Sequence, residues 1–234
     1  MLILFDIDGT LLSTNGAARR AFHRALLEVY GTAGPIATHG FDGKTDPQIA
    51  RELLRAAGLS DAAIDRGFPA LWQVYLRELA DELARPGHRN TVFPGVEALL
   101  DALDELGERV IVGLLTGNIE AGAELKLSSA GLAGRFRLGA YGSDHEERSA
   151  LPPIAVARAR ALTGRDIVGR DIVIIGDTPH DVTCGRALGV RALGVATGSF
   201  DTAALAAAGA DAVFPDLSDT AAALAWILDP DAGR

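Results

Sequence analysis

Short apolar runs rich in β-branched residues recur along the chain: Leu2–Phe5, Arg109–Leu115, Leu138–Tyr141, Asp171–Ile175, Val190–Val195 and Ala212–Phe214. Their apolar residues are consecutive rather than alternate, which is the pattern of strands covered on both faces. Between them, apolar positions at helical spacing predict helices near 95–106, 118–130, 151–163, 180–188 and 201–208. Strand and helix alternate, so the expected fold is α/β, a parallel sheet with helices on both sides. In such a sheet, function gathers at the carboxyl ends of the strands.

One interval breaks the rhythm. Residues 15–91 read as helices near 16–30, 46–57, 60–65 and 68–85 with no convincing strand. Turn-rich segments bound them, Ser13-Thr14-Asn15-Gly16 before and Pro86-Gly87-His88-Arg89-Asn90 after. The expected organisation is therefore an α/β core made of 1–14 and 92–234, with 15–91 as an inserted helical domain. An insertion directly after the first strand sits over the carboxyl edge of the sheet, where it is placed to be a lid.

The chemistry expected at that edge begins with Asp6-Ile7-Asp8-Gly9-Thr10, directly after the first apolar run. Residues two apart in extended chain point to the same side, so Asp6 and Asp8 enter one small volume. One carboxylate can attack while the other moves a proton. Gly9 permits a sharp turn, and Thr10 can bond the local backbone to hold it. The same pentapeptide also suits a plain turn or a Ca²⁺ or Mg²⁺ loop. Thr116-Gly117-Asn118 ends the second core run and offers a hydroxyl and backbone N–H groups at a helix start, an anion site that is equally an ordinary N-cap turn. Asp177 and Asp181, in Gly176-Asp177-Thr178-Pro179-His180-Asp181, follow the strongest strand at the same edge. Carboxylates crowded there raise one another's pKa unless a cation neutralises them, and oxygen donors without a Cys or His cluster favour a hard ion, with Mg²⁺ expected. His180 reads as a surface or helix-start residue.

Composition narrows the partners. Of 234 residues, 48% are hydrophobic and 23% charged, which excludes disorder, and a net charge of −9 opposes nucleic acid or an anionic membrane as the main partner. Cys184 stands alone, so no internal disulfide forms and a reducing compartment is expected. The chain opens on a strand rather than a secretion signal, and no run approaches eighteen apolar residues, so the expected location is the cytoplasm. Oligomeric state is not legible in these features.

Asp6-Ile-Asp8-Gly-Thr, then Leu-Thr116-Gly-Asn118, then Gly-Asp177-Thr-Pro-His-Asp181, each at a strand end and in this order, resemble the first, second and fourth motifs of the haloacid dehalogenase (HAD) superfamily. With the helical insertion after the first motif, the chain resembles the branch with a helical cap, which includes phosphoglycolate phosphatase and β-phosphoglucomutase. The resemblance implies a Rossmann-like core and a Mg²⁺-dependent phosphatase for a small phosphorylated metabolite. Asp6 would be the nucleophile that forms an aspartyl phosphate, and Asp8 the acid and base. Asp6, the Asp8 backbone carbonyl and Asp177 would hold Mg²⁺, with Asp181 a direct or water-mediated partner. Thr116, Gly117 and Asn118 would hold the phosphoryl oxygens. A phosphomutase shares these residues, and a non-catalytic Mg²⁺-binding phospho-acceptor domain is a reading from a different class.

The third motif departs from the family pattern, which usually has a Lys. Only two lysines exist, Lys44 and Lys126. Arg148 stands closest to the expected place, with Lys126 as the runner-up, and Arg148 could instead form a surface ion pair with Glu146 or Asp144. In the insertion, Gly43 and Lys44 are expected substrate contacts within a polar turn that is equally a helix start capped by Thr45 or Asp46.

Overall fold

A computed structural model describes residues 1–232. Strand β1 (Leu2–Phe5) leads through a short strand β2 (Leu12–Ser13) into helices α1 (Ala17–Tyr30), α2 (Asp46–Ala56) and α3 (Asp61–Leu83), and strand β3 (Thr91–Val92) returns the chain to the core. There follow α4 (Val96–Asp104), β4 (Ile111–Thr116), α5 (Glu120–Ser129), β5 (Gly139–Tyr141) and α6 (Leu151–Thr163). The chain continues through β6 (Ile172–Gly176), α7 (Pro179–Cys184), β7 (Arg191–Val195), α8 (Thr202–Ala207), β8 (Ala212–Phe214) and α9 (Thr220–Leu228).

The predicted strands form a parallel sheet in the order β5-β4-β1-β6-β7-β8. Strand pleating divides its side chains. Ile3, Phe5, Val112, Leu114, Val173 and Ile175 pack on one face with α4 and α9, while Leu2, Leu4, Ile111, Leu115, Ile172 and Ile174 pack on the other with α6. Removing each large side chain from water contributes about 1.5–3 kcal/mol, and that double burial is why the strands read as continuous apolar runs. The order also fixes where chemistry can occur. β1 pairs with β4 on one side and β6 on the other, so the connections leaving these strands part above β1 and open a crevice at their carboxyl ends.

Helices α1, α2 and α3 bury their own cluster, with Phe22, Leu26, Ile49, Leu53, Leu71, Tyr75 and Leu79 at its centre. Two features differ from the sequence expectation. The break expected between 65 and 68 is absent, because α3 runs through Gly67 and Pro69 as one helix. A Cβ at Gly67 would lie 2.5 Å from the Tyr30 ring, and the Tyr30 hydroxyl donates to the Ile64 carbonyl at 2.6 Å, so packing of α1 on α3 overrides the local breakers. The interval also ends in a strand pair too short to leave a periodic signal: β2 and β3 pair antiparallel, and Asn15 donates across it to the Arg89 carbonyl at 2.7 Å. Arg191 is fully buried in β7, where its guanidinium donates to the carbonyls of Trp226, Ile227 and Asp229 and closes the end of α9.

Candidate active site

β1 pairs beyond its last residue, since the Asp6 amide donates to the Ile175 carbonyl at 3.0 Å, and this presents the Asp6 carboxylate at the crevice. Gly9, at φ 86°, then reverses the chain. Glycine is required there twice over, for the left-handed backbone and because a Cβ would lie 2.3 Å from an Asp177 oxygen. Gly198 makes room for the same carboxylate from another side, where a Cβ would lie 1.8 Å from it. Thr10 has a different role from the one expected. Its hydroxyl donates to Asp177 Oδ1 at 2.9 Å, across 167 residues, rather than to the local backbone.

Asp6, Asp177 and Asp181 are all buried, and one carboxylate oxygen from each lies within 4.8 Å of the others. Desolvation is the first reason that Asp6 is raised to about 6, with Asp181 and Asp8 pushing further and Arg148 opposing. Desolvation, then Asp181 and Asp6, raise Asp177 to about 8. Arg148 Nη2 lies 3.4 Å from Asp6 Oδ1, pairs directly with Asp181, and donates to the Leu115 carbonyl at 3.2 Å. Asp181 also forms a capping box at the start of α7, accepting from the Thr178 amide at 3.0 Å and its hydroxyl at 2.7 Å. One guanidinium therefore faces three carboxylates. The excess negative charge and the all-oxygen donor set fit a hard divalent cation such as Mg²⁺.

Asp8 points elsewhere. Its half-exposed carboxylate accepts from Lys126 Nζ at 2.6 Å and from Asn118 Nδ2 at 2.8 Å. Lys126, buried on α5, also donates to Asn118 Oδ1 at 2.5 Å, and Thr116 Oγ1 accepts from Asn118 Nδ2 at 2.7 Å. Both third-motif candidates thus reach the site, on different carboxylates: Arg148 on Asp6 and Asp181, Lys126 on Asp8. The surface pairing considered for Arg148 does not occur, because Glu146 pairs with Arg51 and Asp144 with Arg158.

The helical insertion closes over this edge. A cavity of about 230 Å³ is lined from the core by Asp6, Asp8, Thr116, Asn118 and Arg148, and from the insertion by Arg19, Phe22, Phe41, Lys44 and Tyr75. Gly43, at φ 70°, lies where a Cβ would be 2.8 Å from Thr178 Oγ1 and 2.6 Å from the His180 ring. Lys44 borders the cavity, but its ammonium is taken by Glu52 at 2.5 Å. Thr45 is the N-cap of α2, so the turn is a helix start and a cavity wall at once, and its hydroxyl donates to the Glu146 carbonyl at 2.7 Å. The insertion touches the Thr116-Gly117-Asn118 loop directly: the Asp46 amide donates to the Gly117 carbonyl at 2.7 Å, and the Asp46 carboxylate accepts from the Ile119 amide at 2.9 Å. A Cβ on Gly117 would meet the Lys44 carbonyl at 2.0 Å.

Residues 3–195 match the model of the haloacid dehalogenase-like hydrolases. The chain belongs to this family. It is therefore an enzyme, a hydrolase. Over 229 residues it is 31% identical to a plasmid-encoded phosphoglycolate phosphatase of Cupriavidus necator, covering 97% of this chain and 93% of that protein. It is also 29% identical over 202 residues to the tyrosine-protein kinase PtkA of Mycobacterium tuberculosis, covering 84% of this chain but 62% of that one. A solved structure of a predicted phosphatase from Clostridium acetobutylicum superposes with a TM-score of 0.71 at 16% identity, covering 96% of this chain and 97% of the other, a likeness of fold. No helix among the described residues is long and apolar enough to cross a membrane.

Three residues that line this hydrolase's cavity carry no signal in the sequence pattern. Arg19 and Tyr75 occupy ordinary helical positions. Asp46 read only as a helix cap, yet it is buried against α5 and raised to about 6, chiefly by desolvation. The raised carboxylates also carry a prediction. With folded-state values above the unfolded ones, the folded protein holds more protons between about pH 4 and about pH 8, so the stability these groups contribute is present below that window and is lost as pH rises through about 6 and then about 8. In EDTA, Tm is expected to fall between about pH 5 and about pH 8, and Mg²⁺ to raise it more at the upper end, where no proton competes. A Mg²⁺ effect equal at both ends, followed by differential scanning fluorimetry, contradicts a carboxylate site.

Proposed function

We propose that this hydrolase is a Mg²⁺-dependent phosphatase of a small phosphate monoester, of the phosphoglycolate kind, working through an aspartyl phosphate on Asp6. The observation that carries the reading is the buried group of Asp6, Asp177 and Asp181 around one guanidinium, beneath a small cavity at the point where the sheet connections part. The phosphoglycolate phosphatase relative supports the substrate class. On this reading residues 15–91 form the cap, and 1–14 with 92–234 the core.

Asp6, the Asp8 backbone carbonyl and Asp177 would hold Mg²⁺, with Asp181 beside it. When bound, the ion supplies positive charge that offsets the crowded carboxylates and the phosphoryl oxygens. The Asp6 carboxylate attacks phosphorus, the ester bond breaks, and Asp8 delivers a proton to the departing oxygen. Water then attacks the aspartyl phosphate while Asp8 takes its proton, releasing phosphate and restoring Asp6. Lys126 and Asn118 hold Asp8 in place for both transfers. The Thr116 hydroxyl, the Gly117 and Asn118 loop, and the Arg148 guanidinium, which borders the cavity, bind the phosphoryl oxygens. Gly43 and Lys44 bring the cap against the substrate.

Release of phosphate from p-nitrophenyl phosphate is expected with Mg²⁺ and is expected to vanish in EDTA. Full turnover in EDTA removes the metal from the reading, and no turnover in either condition moves it to a phospho-acceptor domain. Retention of the phosphoryl group on a second position of a sugar phosphate, with little free phosphate, marks a phosphomutase.

A further inference from the structure

Two cations of the insertion border the cavity, and they differ in what they already hold. Lys44 is neutralised, its ammonium 2.5 Å from Glu52 and 3.4 Å from His39 Nε2. Arg19, on α1, pairs with no carboxylate among the described residues. Its guanidinium lies over the Phe41 ring, 4.3 Å from the centroid, and Nη2 donates to the Ile36 carbonyl and, at 2.9 Å, to the His39 carbonyl. Carbonyls and an aromatic face fix the orientation of a guanidinium without cancelling its charge. Among the described residues its Nε and Nη1 donors have no hydrogen-bond partner. Two anionic side chains of the insertion border the same cavity without an ion pair among the described residues: Asp42, which accepts from Ser199 at 3.2 Å, and Asp46, which accepts from the Ile119 amide at 2.9 Å.

A cation preorganised in this way, at a cavity that also holds the proposed phosphoryl site, matches a ligand with two anionic ends. Arg148 and Lys126 already answer the carboxylates of the core, so a second anion on the substrate has Arg19 as its uncompensated partner. We propose that Arg19 binds the carboxylate of a short phosphorylated carboxylic acid and so selects that class over neutral phosphate esters of the same length. This rests on the phosphatase reading above and adds to it the residue that reads the far end of the substrate.

The test compares kcat/KM for phosphoglycolate and for ethyl phosphate, which has the same chain length without the carboxylate, in the Mg²⁺-loaded wild type, R19Q and R19K. Loss of a charge-assisted hydrogen bond is expected to lower the ratio of the two values between about 10-fold and about 100-fold in R19Q, mainly through KM for phosphoglycolate. R19K is expected to recover part of the ratio, because it restores charge but not the fork held against Phe41. A ratio unchanged in R19Q, or a wild type without preference for phosphoglycolate, overturns the assignment of Arg19 while leaving the phosphatase reading intact. A wild type that hydrolyses p-nitrophenyl phosphate but neither ester overturns the assignment of Arg19 alone, and one that hydrolyses none of the three overturns both.

Discussion

Replacing Asp6 by Asn is expected to lower kcat by about 10⁴-fold or more, which is about 5 kcal/mol or more of transition-state stabilisation. The amide has nearly the shape of the carboxylate but is not a competent nucleophile, so neither ester exchange nor the covalent intermediate can form. The variant should nevertheless fold. Asp6 is buried beside Asp181 and Asp8, and its ionisation opposes folding at neutral pH, so D6N is expected to melt above wild type when both are metal-free at about pH 8. Loss of turnover together with a raised Tm separates a chemical role from a structural one. Near-wild-type phosphate release by D6N, measured with p-nitrophenyl phosphate and Mg²⁺, excludes the aspartyl-phosphate route.

Arg148→Ala is expected to be the most damaging single truncation for stability as well as activity. The Arg148 side chain is 5% exposed, and its guanidinium is the direct counter-charge of Asp181 and the near neighbour of Asp6. Removing one partner of a buried charged group typically costs about 3–5 kcal/mol, which in a chain of this size lowers Tm by about 6–20 °C. Turnover should fall by about 10²-fold to about 10³-fold as the phosphoryl oxygens lose a donor. Lys126→Met offers the contrast. Its partner Asp8 is 43% exposed in its side chain, so water can replace the ammonium, and the expected loss falls on kcat with a smaller change in Tm. Equal melting losses in the two variants, read by thermal denaturation in EDTA, contradict the division of labour between Arg148 and Lys126.

That division shows where sequence reasoning stops. Asp6, Asp8, Thr116 and Asp177 are legible because each stands at or just beyond a strand end, and Asp181 because it lies in the first turn of the helix that follows one; the pleat and the common sheet edge bring such positions together without further information. Sequence does not separate the roles of Arg148 and Lys126, because neither lies in a strand. Lys126 lies in α5, where reach depends on how the helix packs, and Arg148 lies in a short turn before α6. The packing brings both in, against separate carboxylates. Thr10 was assigned to its own turn, since nothing local announces a partner 167 residues away. The continuous α3 was missed for a related reason: Gly67 and Pro69 break helices by propensity, and the Tyr30 contact that overrides them comes from another helix.

By itself the sequence determined the α/β alternation, the parallel sheet, the helical interval after the first strand, and the set of acidic and small residues that meet at one edge. These follow from period and position, which are properties of neighbouring residues. Only the tertiary structure decided which cation answers which carboxylate, that Asp46 carries the insertion onto the Gly117 loop, and that Arg19 borders the cavity without an ion pair among the described residues. Those outcomes are set by distances between elements far apart in the chain and by the desolvation that packing imposes, neither of which a local pattern encodes.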